Sequence, residues 1–406
     1  MESEKVRILF WCDYFQQVFG GAEVWAERYV AAMRQRGYQI EVLADQGGAN
    51  AAFDAAHEFV PVHFLHSREA LHGSDPDAWR ACLKRAAAIE SAFAPHLIHI
   101  SISTSAPTLL LFLMSRGLVQ ANGQHGTAKP VNLMSLHQEW RQPNVPGPLH
   151  ERVLRQMDWV CCFSQSTLRL LLSQLAAHVP ELIRWSCVIP HAIPGAGNGR
   201  IGADAVAGSD QAIGFIGRLS REKGADLALR AFSLLQAEFP GLRMIVAGDG
   251  PERPSLDALA QELGIAEFVT FTGWLSSDEV RATLRSLRLL ITPSREDSAP
   301  LIALEAAHEA CPVVATAVGG LPEMCFDGVT GLLCPPEDPA ALAAAAARLL
   351  SNAEFSRRLG LAAQARVLAS PGWEGHINSY EALIQRLVEE RFSGPVFPVE
   401  DASRAQ

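Results

Sequence analysis

The sequence has no Cys-X-X-Cys pair, no apolar run long enough to cross a bilayer and no excess of positive charge. Its eight cysteines lack paired spacing, which favours reduced and buried thiols such as the adjacent Cys161 and Cys162. The apolar run from Leu109 to Met114 is too short for a membrane span and predicts a buried helix. The residues from Met1 to Lys5 are polar and do not resemble a leader, so we expect a cytoplasmic protein.

The charge is unevenly distributed between the two halves of the chain. Residues 1–200 hold 17 Lys and Arg against 17 Asp and Glu, whereas residues 201–406 hold 17 against 27. The second half therefore carries the whole net charge of −10. A neutral half followed by an acidic half argues against a nucleic-acid partner. Eleven of the 13 histidines fall in the first half, where we expect most of them at the surface or in loops.

A chain of 406 residues exceeds the usual size of a single core and predicts two domains. Strand and helix patterns alternate almost throughout, which is typical of doubly wound parallel sheets and predicts an α/β fold. We expect an N-terminal Rossmann-like domain over 1–194, a Gly-rich and Ala-rich linker over 195–210 and a second Rossmann-like domain over 211–372. An amphipathic helix follows over 373–391, and residues 392–406 are predicted to be disordered.

Two carboxylates lie in and shortly after the loop PSREDSAP, residues 293–300, which follows a predicted buried strand in the second half. Glu305 comes eight residues after Asp297, and on a helix starting near Pro300 it falls in the second turn, facing the loop. Both can therefore point into one cleft at the carboxyl end of the sheet, where such folds bind ligands. Ionised carboxylates accept hydrogen bonds from diols such as ribose and hexose hydroxyls. The alternative is that Asp297 only caps the helix and Glu305 is solvated.

A basic loop, GRLSREKGADL, follows another predicted strand. Arg218 and Lys223 lie before the next helix begins, where a guanidinium and an ammonium can stabilise a diphosphate without a metal. A solvated basic turn is the alternative, and it suits Arg221 better than the other two.

Two pairs of glycines follow strands. Gly20 and Gly21 allow close approach of the backbone to a ligand at a helix N-terminus, although they are also compatible with a simple tight turn. Gly248 and Gly250 begin a dinucleotide fingerprint, but Arg253 occupies the third glycine position, which opposes a nicotinamide oxidoreductase.

Two ring side chains end predicted strands. His137 can donate to a sugar hydroxyl or offer its backbone carbonyl to positive charge, and a purely structural histidine is the alternative. Trp274 is compatible with a contact to a nucleotide base and equally with packing of its loop.

The triplet Asp75 to Asp77 formally matches a metal-binding Asp-X-Asp, but it precedes a helix and is better explained by N-capping. We therefore expect no catalytic metal, and no His or Cys cluster has zinc spacing.

The stretch from Asp297 to Val314 resembles the signature of the family 4 glycosyltransferases, which are retaining enzymes of the GT-B fold. Their pattern is a Glu, seven residues, a second Glu with Ala, and a Gly-Pro-Val-Val ending. Glu305-Ala306 and Pro312 to Val314 match it, whereas Asp297 replaces the first Glu and Cys311 replaces the Gly. The resemblance covers nearly the whole chain, from Val6 to about Arg391.

The resemblance implies a role for each matching residue. Arg218 and Lys223 would hold the donor diphosphate, Glu305 the ribose, and either Asp297 or Glu296 the donor sugar. It also implies that the last helix crosses back to the first domain. Further contacts to the donor or the acceptor are implied for His137, Gly20, Gly21, Gly248, Gly250, Trp274, Ser298 and Leu301.

The predicted function is retaining transfer of a sugar from a nucleotide-diphosphate sugar to a glycan, a lipid-linked glycan or a small molecule, in the synthesis of cell-envelope polysaccharide. No cofactor is expected, because the sugar nucleotide is a co-substrate. The alternative is a non-catalytic sugar-nucleotide-binding partner subunit. The segment from Ser166 to Trp185 has leucines at helical spacing between arginines, which leaves open a peripheral contact with the inner face of the membrane; a core-facing helix is the more ordinary account.

Overall fold

A computed structural model describes residues 5–15, 21–46, 60–102, 106–121, 129–137, 148–193 and 212–392. The predicted linker at 195–210 lies outside this part of the chain, as does the tail beyond Phe392. The described residues form two parallel sheets, one of seven strands and one of six. This arrangement confirms the predicted α/β fold with two doubly wound sheets.

The first sheet has the strand order β3-β2-β1-β4-β5-β6-β7, and every neighbouring pair is parallel. Its strands are β1 (Arg7–Tyr14), β2 (Gln39–Gln46), β3 (Val62–Phe64), β4 (Leu97–Ile102), β5 (Val131–Leu136), β6 (Trp159–Cys162) and β7 (Ser186–Val188). The helices that connect them are α1 (Gly21–Gln35), α2 (Ser67–His72), α3 (Pro76–Phe93), α4 (Ala106–Ala121), α5 (Pro148–Leu154) and α6 (Gln165–Leu175).

The second sheet has the order β10-β9-β8-β11-β12-β13 and is also parallel. Its strands are β8 (Ala212–Ile216), β9 (Arg243–Ala247), β10 (Val269–Gly273), β11 (Leu289–Thr292), β12 (Val313–Thr316) and β13 (Leu332–Cys334). Its helices are α7 (Ala225–Leu235), α8 (Arg253–Glu262), α9 (Ser277–Ser286), α10 (Leu301–His308), α11 (Leu321–Met324), α12 (Pro339–Ser351) and α13 (Ala353–Leu368). The chain is described to the end of α14 (Gly372–Phe392).

In each sheet the strand order reverses once, between β1 and β4 in the first sheet and between β8 and β11 in the second. Ligands of open parallel sheets bind in the crevice outside the carboxyl ends of the strands at such a reversal. The loops after β8 and β11 therefore start next to each other. These are the two loops that hold Lys223 and Asp297.

The apolar stretches behave largely as predicted. Leu109, Leu111 and Phe112 are buried in α4, which confirms a buried helix for that run. In α6, Leu171 and Leu175 are buried, and Leu168 and Leu172 pack against the same core. The leucine face proposed for membrane contact is thus turned into the protein. In the described part of the chain, no helix is both long enough and apolar enough to span a bilayer.

The last helix packs on the first sheet although it follows the second in sequence. Ile377, Tyr380, Ile384 and Leu387 recur at helical spacing and are buried in the core that contains β1 and β5. The Tyr380 hydroxyl lies 2.8 Å from Ser135 Oγ on β5. This packing ties α14 to the N-terminal sheet.

Candidate active site

The loop after β8, residues 217–224, carries the predicted diphosphate cations. It makes a short 3-10 turn over Arg221–Lys223 and ends at Gly224, whose φ is +71°. A Cβ at Gly224 would lie 2.2 Å from the carbonyl oxygen of Pro293, so only glycine fits there. The loop after β8 is therefore pressed against the loop after β11.

Lys223 meets a predicted carboxylate in that second loop, residues 293–300. Its Nζ lies 2.6 Å from Oδ2 of Asp297, and Ser294 Oγ donates to the same oxygen at 3.2 Å. Asp297 is buried, with 8% of its surface exposed, whereas Glu296 is only partly buried. Of the two carboxylates that the sequence left open, Asp297 is the one that the structure pairs with the cation.

Arg295 fastens the two loops together. Its guanidinium donates to both carboxylate oxygens of Asp226, at 2.7 and 2.8 Å, and to the carbonyl of Arg221 at 2.8 Å. It also donates to Glu337 at 2.5 Å, and its own pKa is raised by the hydrogen bond to Asp226 above all. A bidentate pair of this kind fixes orientation as well as charge. Sequence reasoning missed it, because Asp226 and Glu337 are 69 and 42 residues away.

Glu305 lies on α10, beyond the acidic loop, and is partly buried. Burial raises the pKa of Glu305 to about 7, against the opposing charges of Arg28 and Arg281. Arg28 comes from α1 in the other domain, where its Nη2 donates to Ser277 Oγ on α9 at 3.1 Å. Neither arginine was predicted to act on Glu305, and nothing local in the sequence marks them.

The N-terminal domain faces the site with the start of α1. Gly20 lies outside the described residues, but Gly21 begins the helix, and a Cβ built on it would be 3.5 Å from Leu301 Cδ1 on α10. Glu23 is buried, and its Oε1 lies 3.7 Å from Nη2 of Arg218. Burial raises the pKa of Glu23 and the Arg218 charge opposes this. Glu23, in the first turn of α1, therefore faces Arg218, a residue predicted to bind the donor diphosphate.

His137 follows β5 and is buried under the same cleft. Its Nε2 lies 2.8 Å from Ser101 Oγ, and its Nδ1 has no hydrogen-bond partner among the described residues. Burial, with the nearby His376, lowers the pKa of His137 to about 3, so the ring is neutral. Its backbone carbonyl accepts a hydrogen bond from the Ser298 hydroxyl, which links the two domains at the cleft.

The remaining predicted residues lie around this centre. Gly248 has φ +127°, and a Cβ there would lie 1.9 Å from the carbonyl oxygen of Gly217, so its local role is to let the β9–α8 loop pass beneath the loop after β8. Gly250 similarly approaches the backbone of Leu219. Trp274 follows β10 and is 37% exposed. Gln138 and Glu139, which follow His137 in the sequence, lie outside the described residues.

Two glycines that sequence reasoning did not single out also shape the acidic loop. A Cβ at Gly319 or Gly320, just after β12, would lie within 2.0 Å of the carbonyl oxygen of Asp297 or Ser298. The amide of Gly320 donates to the Asp297 carbonyl at 2.9 Å. A Gly-Gly pair that begins three residues after the strand was the signal that could have found them.

The formal Asp-X-Asp is a helix cap, as predicted. Oδ1 of Asp75 accepts from the amides of Asp77 and Ala78, each at 3.0 Å, at the start of α3. Within the described residues, no group of three or more His, Cys, Asp or Glu side chains is placed to hold a metal ion.

Comparison with known proteins identifies the class to which this fold and site belong. Residues 19–191 match the family described as Glycosyltransferase Family 4, and residues 203–366 match Glycosyl transferases group 1. One match falls on each sheet, and together they cover most of the chain. The protein belongs to the family 4 type of GT-B glycosyltransferases.

Curated relatives and solved structures are consistent with this assignment. The chain is 38% identical over 204 residues to a D-inositol 3-phosphate glycosyltransferase of Mycobacterium marinum, covering 48% of this chain and 43% of that protein. It is 33% identical over 160 residues to a glycogen synthase of Mycobacterium tuberculosis, covering 39% of each. The matches thus span less than half the length of these relatives. Anabaena HepE in complex with UDP-glucose has the same fold, with a TM-score of 0.75 at 18% identity, covering 94% of this chain and 99% of that one.

Proposed function

We propose that the protein is a retaining glycosyltransferase that moves a sugar from a nucleoside-diphosphate sugar to an acceptor glycan, a lipid-linked glycan or a small molecule. The observation that carries this proposal is the ion pair between Lys223 Nζ and Asp297 Oδ2, 2.6 Å apart, in the loops that follow the adjacent strands β8 and β11. This pair would supply, at one point, a cation for the diphosphate and a carboxylate for the sugar hydroxyls. Arg218 enters from the same loop as Lys223.

The two cations suit the leaving group of this reaction. When the bond between the sugar and the diphosphate breaks, negative charge grows on the phosphate oxygens. Arg218 offers a planar fork of donors and Lys223 a compact charge, and fixed donors of this kind stabilise a developing anion. In this role they would replace a metal ion.

The two carboxylates suit the hydroxyl groups of the donor. Glu305 lies on α10 for the ribose, and Asp297 lies beside Lys223 for the transferred sugar. Because Asp297 is held by Lys223 and Ser294, it is better placed to bind than to attack the sugar. We therefore favour substitution on one face of the sugar, in which the acceptor oxygen bonds to the anomeric carbon as the phosphate leaves and the phosphate oxygen takes the hydroxyl proton.

The donor and the biological setting are proposed from relatives. HepE was solved with UDP-glucose, so UDP-glucose is the first donor to test. WaaG, described as involved in lipopolysaccharide biosynthesis, shares the fold with a TM-score of 0.67 at 15% identity. We infer a role in cell-envelope polysaccharide synthesis in the cytoplasm.

A panel of nucleotide sugars tests the proposal in two readouts. A donor that binds only the folded protein should raise its melting temperature by mass action. Addition of acceptor, or slow hydrolysis without it, should then release free nucleoside diphosphate. Because Asp297 departs from the family's Glu, a non-catalytic sugar-nucleotide-binding subunit is the competing function. If a donor raises the melting temperature but no nucleoside diphosphate is released with any acceptor of a full panel, the non-catalytic subunit is favoured.

A further inference from the structure

Two thiols lie side by side in the N-terminal sheet, away from the cleft. Cys161 on β6 is the register partner of Cys187 on β7, and their sulfur atoms are 3.7 Å apart. Both are free thiols, with Cys161 buried and Cys187 only partly buried. The pair lies beneath α14, whose Arg386 stacks over the ring of Trp159 at 4.5 Å.

The backbone geometry permits a covalent bond between them. Neighbouring strands lie about 4.8 Å apart, which is inside the range of Cα separations found across disulfides, about 4.4–6.8 Å. The adjacent Cys162 serves as an internal contrast. It pairs in register with Val188, points to the opposite face of the sheet and belongs to a different core cluster.

The surroundings of Cys187 favour its thiolate. The hydrogen bond between the Cys161 and Cys187 sulfur atoms is the largest cause. Trp159 Nε1–H also donates to Cys187 Sγ at 3.2 Å, and the Arg386 charge lies nearby; together these outweigh burial and lower the pKa of Cys187 to about 7. Burial instead raises the pKa of Cys161 well above its usual range. The two thiols are therefore unlike: one is a nucleophile open to a small oxidant and the other is a buried partner.

We propose that Cys161 and Cys187 form a redox-active dithiol, a modification site at which a hydroperoxide produces a reversible disulfide between β6 and β7. The Cys187 thiolate attacks the peroxide, its sulfur gains a hydroxyl group, and hydroxide leaves and is protonated. The Cys161 sulfur then attacks that sulfenic acid, the new S–S bond replaces the S–O bond, and the proton of Cys161 leaves with the hydroxide as water. Two thiols lose two electrons in total, and one hydrogen peroxide becomes two waters.

Peptide mapping of the oxidised protein tests this directly. The full-length protein is freed of reductant, treated with hydrogen peroxide, alkylated and digested with trypsin. Cleavage after arginine isolates residues 156–169, which hold Cys161 and Cys162, from residues 185–200, which hold Cys187. We expect these two peptides to be joined, with the loss of two hydrogen atoms, and to separate on treatment with dithiothreitol.

Matched variants decide which sulfurs react. Cys162→Ser should retain the link, whereas Cys161→Ser should abolish it and leave Cys187 as a sulfenic acid or a higher oxide. A link that survives in Cys161→Ser, or complete oxidation of Cys187 in the native protein without any link, would overturn the proposal.

Alkylation of the native protein gives a readout that does not depend on any variant folding. Cys187 should react with iodoacetamide at least about tenfold faster than the buried cysteines, with a rate that rises through about pH 7. Labelling of Cys187 no faster than of Cys311 or Cys334 would contradict its role as the attacking thiol. The test is independent of the glycosyltransferase activity proposed above.

Discussion

The ammonium of Lys223 and the carboxylate of Asp297 form a partly buried ion pair, 2.6 Å from nitrogen to oxygen, across the two loops of the C-terminal sheet. Their side chains are 31% and 7% exposed, so the pair is shielded unevenly. Each charge holds the other in place, and Arg295 fixes both loops. A diphosphate sugar entering the cleft would then meet a cation and a carboxylate that are already oriented.

Replacement of Lys223 by Ala should lower turnover by more than tenfold. A fixed charge beside a developing anion contributes about 2–4 kcal/mol to transition-state stabilisation. Steady-state rates of nucleoside diphosphate release measure the loss. Arg221→Ala is the matched control, because Arg221 lies in the same turn with an exposed side chain.

The fold of the Lys223→Ala protein is checked by its circular dichroism and melting temperature, since the change leaves Asp297 without its cation. A folded variant with unchanged turnover would remove Lys223 from the diphosphate site.

Asp297→Asn should weaken donor turnover far more than Glu296→Gln. Asp297 is buried against Lys223, whereas Glu296 is partly exposed. Only Asp297→Asn therefore places a neutral side chain beside the ammonium of Lys223. We expect a loss of at least about tenfold for Asp297→Asn and less than about threefold for Glu296→Gln. Measured kcat and KM for one donor compare them. Equal losses would assign the sugar contact to both residues, and the reverse order would assign it to Glu296.

The sequence predicted those parts of the protein that depend on local patterns. The sequence pattern predicts a strand over Ala212–Ile216 and a helix over Ser277–Ser286, and β8 and α9 have these bounds. Apolar runs, Gly and capping residues act over a few residues, which is why such bounds can be predicted. Strands β3 and β13, of three residues each, were not predicted. Other helix starts differ slightly: α10 was expected near Pro300 and begins at Leu301, and α14 was expected from residue 373 and begins at Gly372.

The site was predictable as a set of residues, but its contacts were not. Arg218, Lys223, Asp297 and Glu305 follow strands in motifs, so their positions could be read from the chain. The contact of Glu23 with Arg218 and the influence of Arg28 on Glu305 join different domains, and no local pattern encodes such pairs. His99 and His137 are exceptions to the expectation that most histidines of the first half lie at the surface or in loops, because aromatic residues far apart in sequence enclose them.

Activity should not require a divalent metal ion. Arg218, Lys223 and Asp297 would together supply the charges that bind the diphosphate sugar, and Asp75 is engaged as a helix cap. Donor turnover after dialysis against EDTA should equal that with added manganese or magnesium. Activity abolished by EDTA and restored by manganese would refute this prediction and would call for a metal-binding role of residues 75–77.

Acid should destabilise the protein through His99. Its Nδ1 lies 2.9 Å from Tyr29 Oη and its Nε2 lies 2.8 Å from Ser135 Oγ, and burial, with a smaller electrostatic contribution from the nearby His137, lowers its pKa to about 3. In the unfolded chain His99 is therefore protonated below about pH 6.5, whereas in the folded protein it stays neutral until about pH 3. The contribution of His99 to the free energy of unfolding is complete above about pH 6.5 and is lost as the pH falls towards 3. Between about pH 7 and pH 5 this costs about 2 kcal/mol.

Urea unfolding at the two pH values measures this loss in the parent protein and in His99→Asn. The variant should be less stable at pH 7 but should lose less stability on acidification. His178→Asn is the control, because His178 is exposed. An unchanged pH dependence in His99→Asn would show that another group is responsible.

Donor affinity should rise with pH through about 7 because of Glu305. Burial raises the pKa of this carboxyl to about 7, so it is mostly protonated at about pH 6 and mostly ionised at about pH 8. Only the ionised form accepts hydrogen bonds from both ribose hydroxyls, so the Kd of a nucleoside-diphosphate sugar should be about tenfold higher at about pH 6 than at about pH 8. Calorimetric titration of the parent and of Glu305→Gln measures the effect. The variant should bind more weakly than the parent at the higher pH and show a flat profile, since its amide does not titrate; a variant that kept the parent's pH dependence would place the titrating group elsewhere in the cleft.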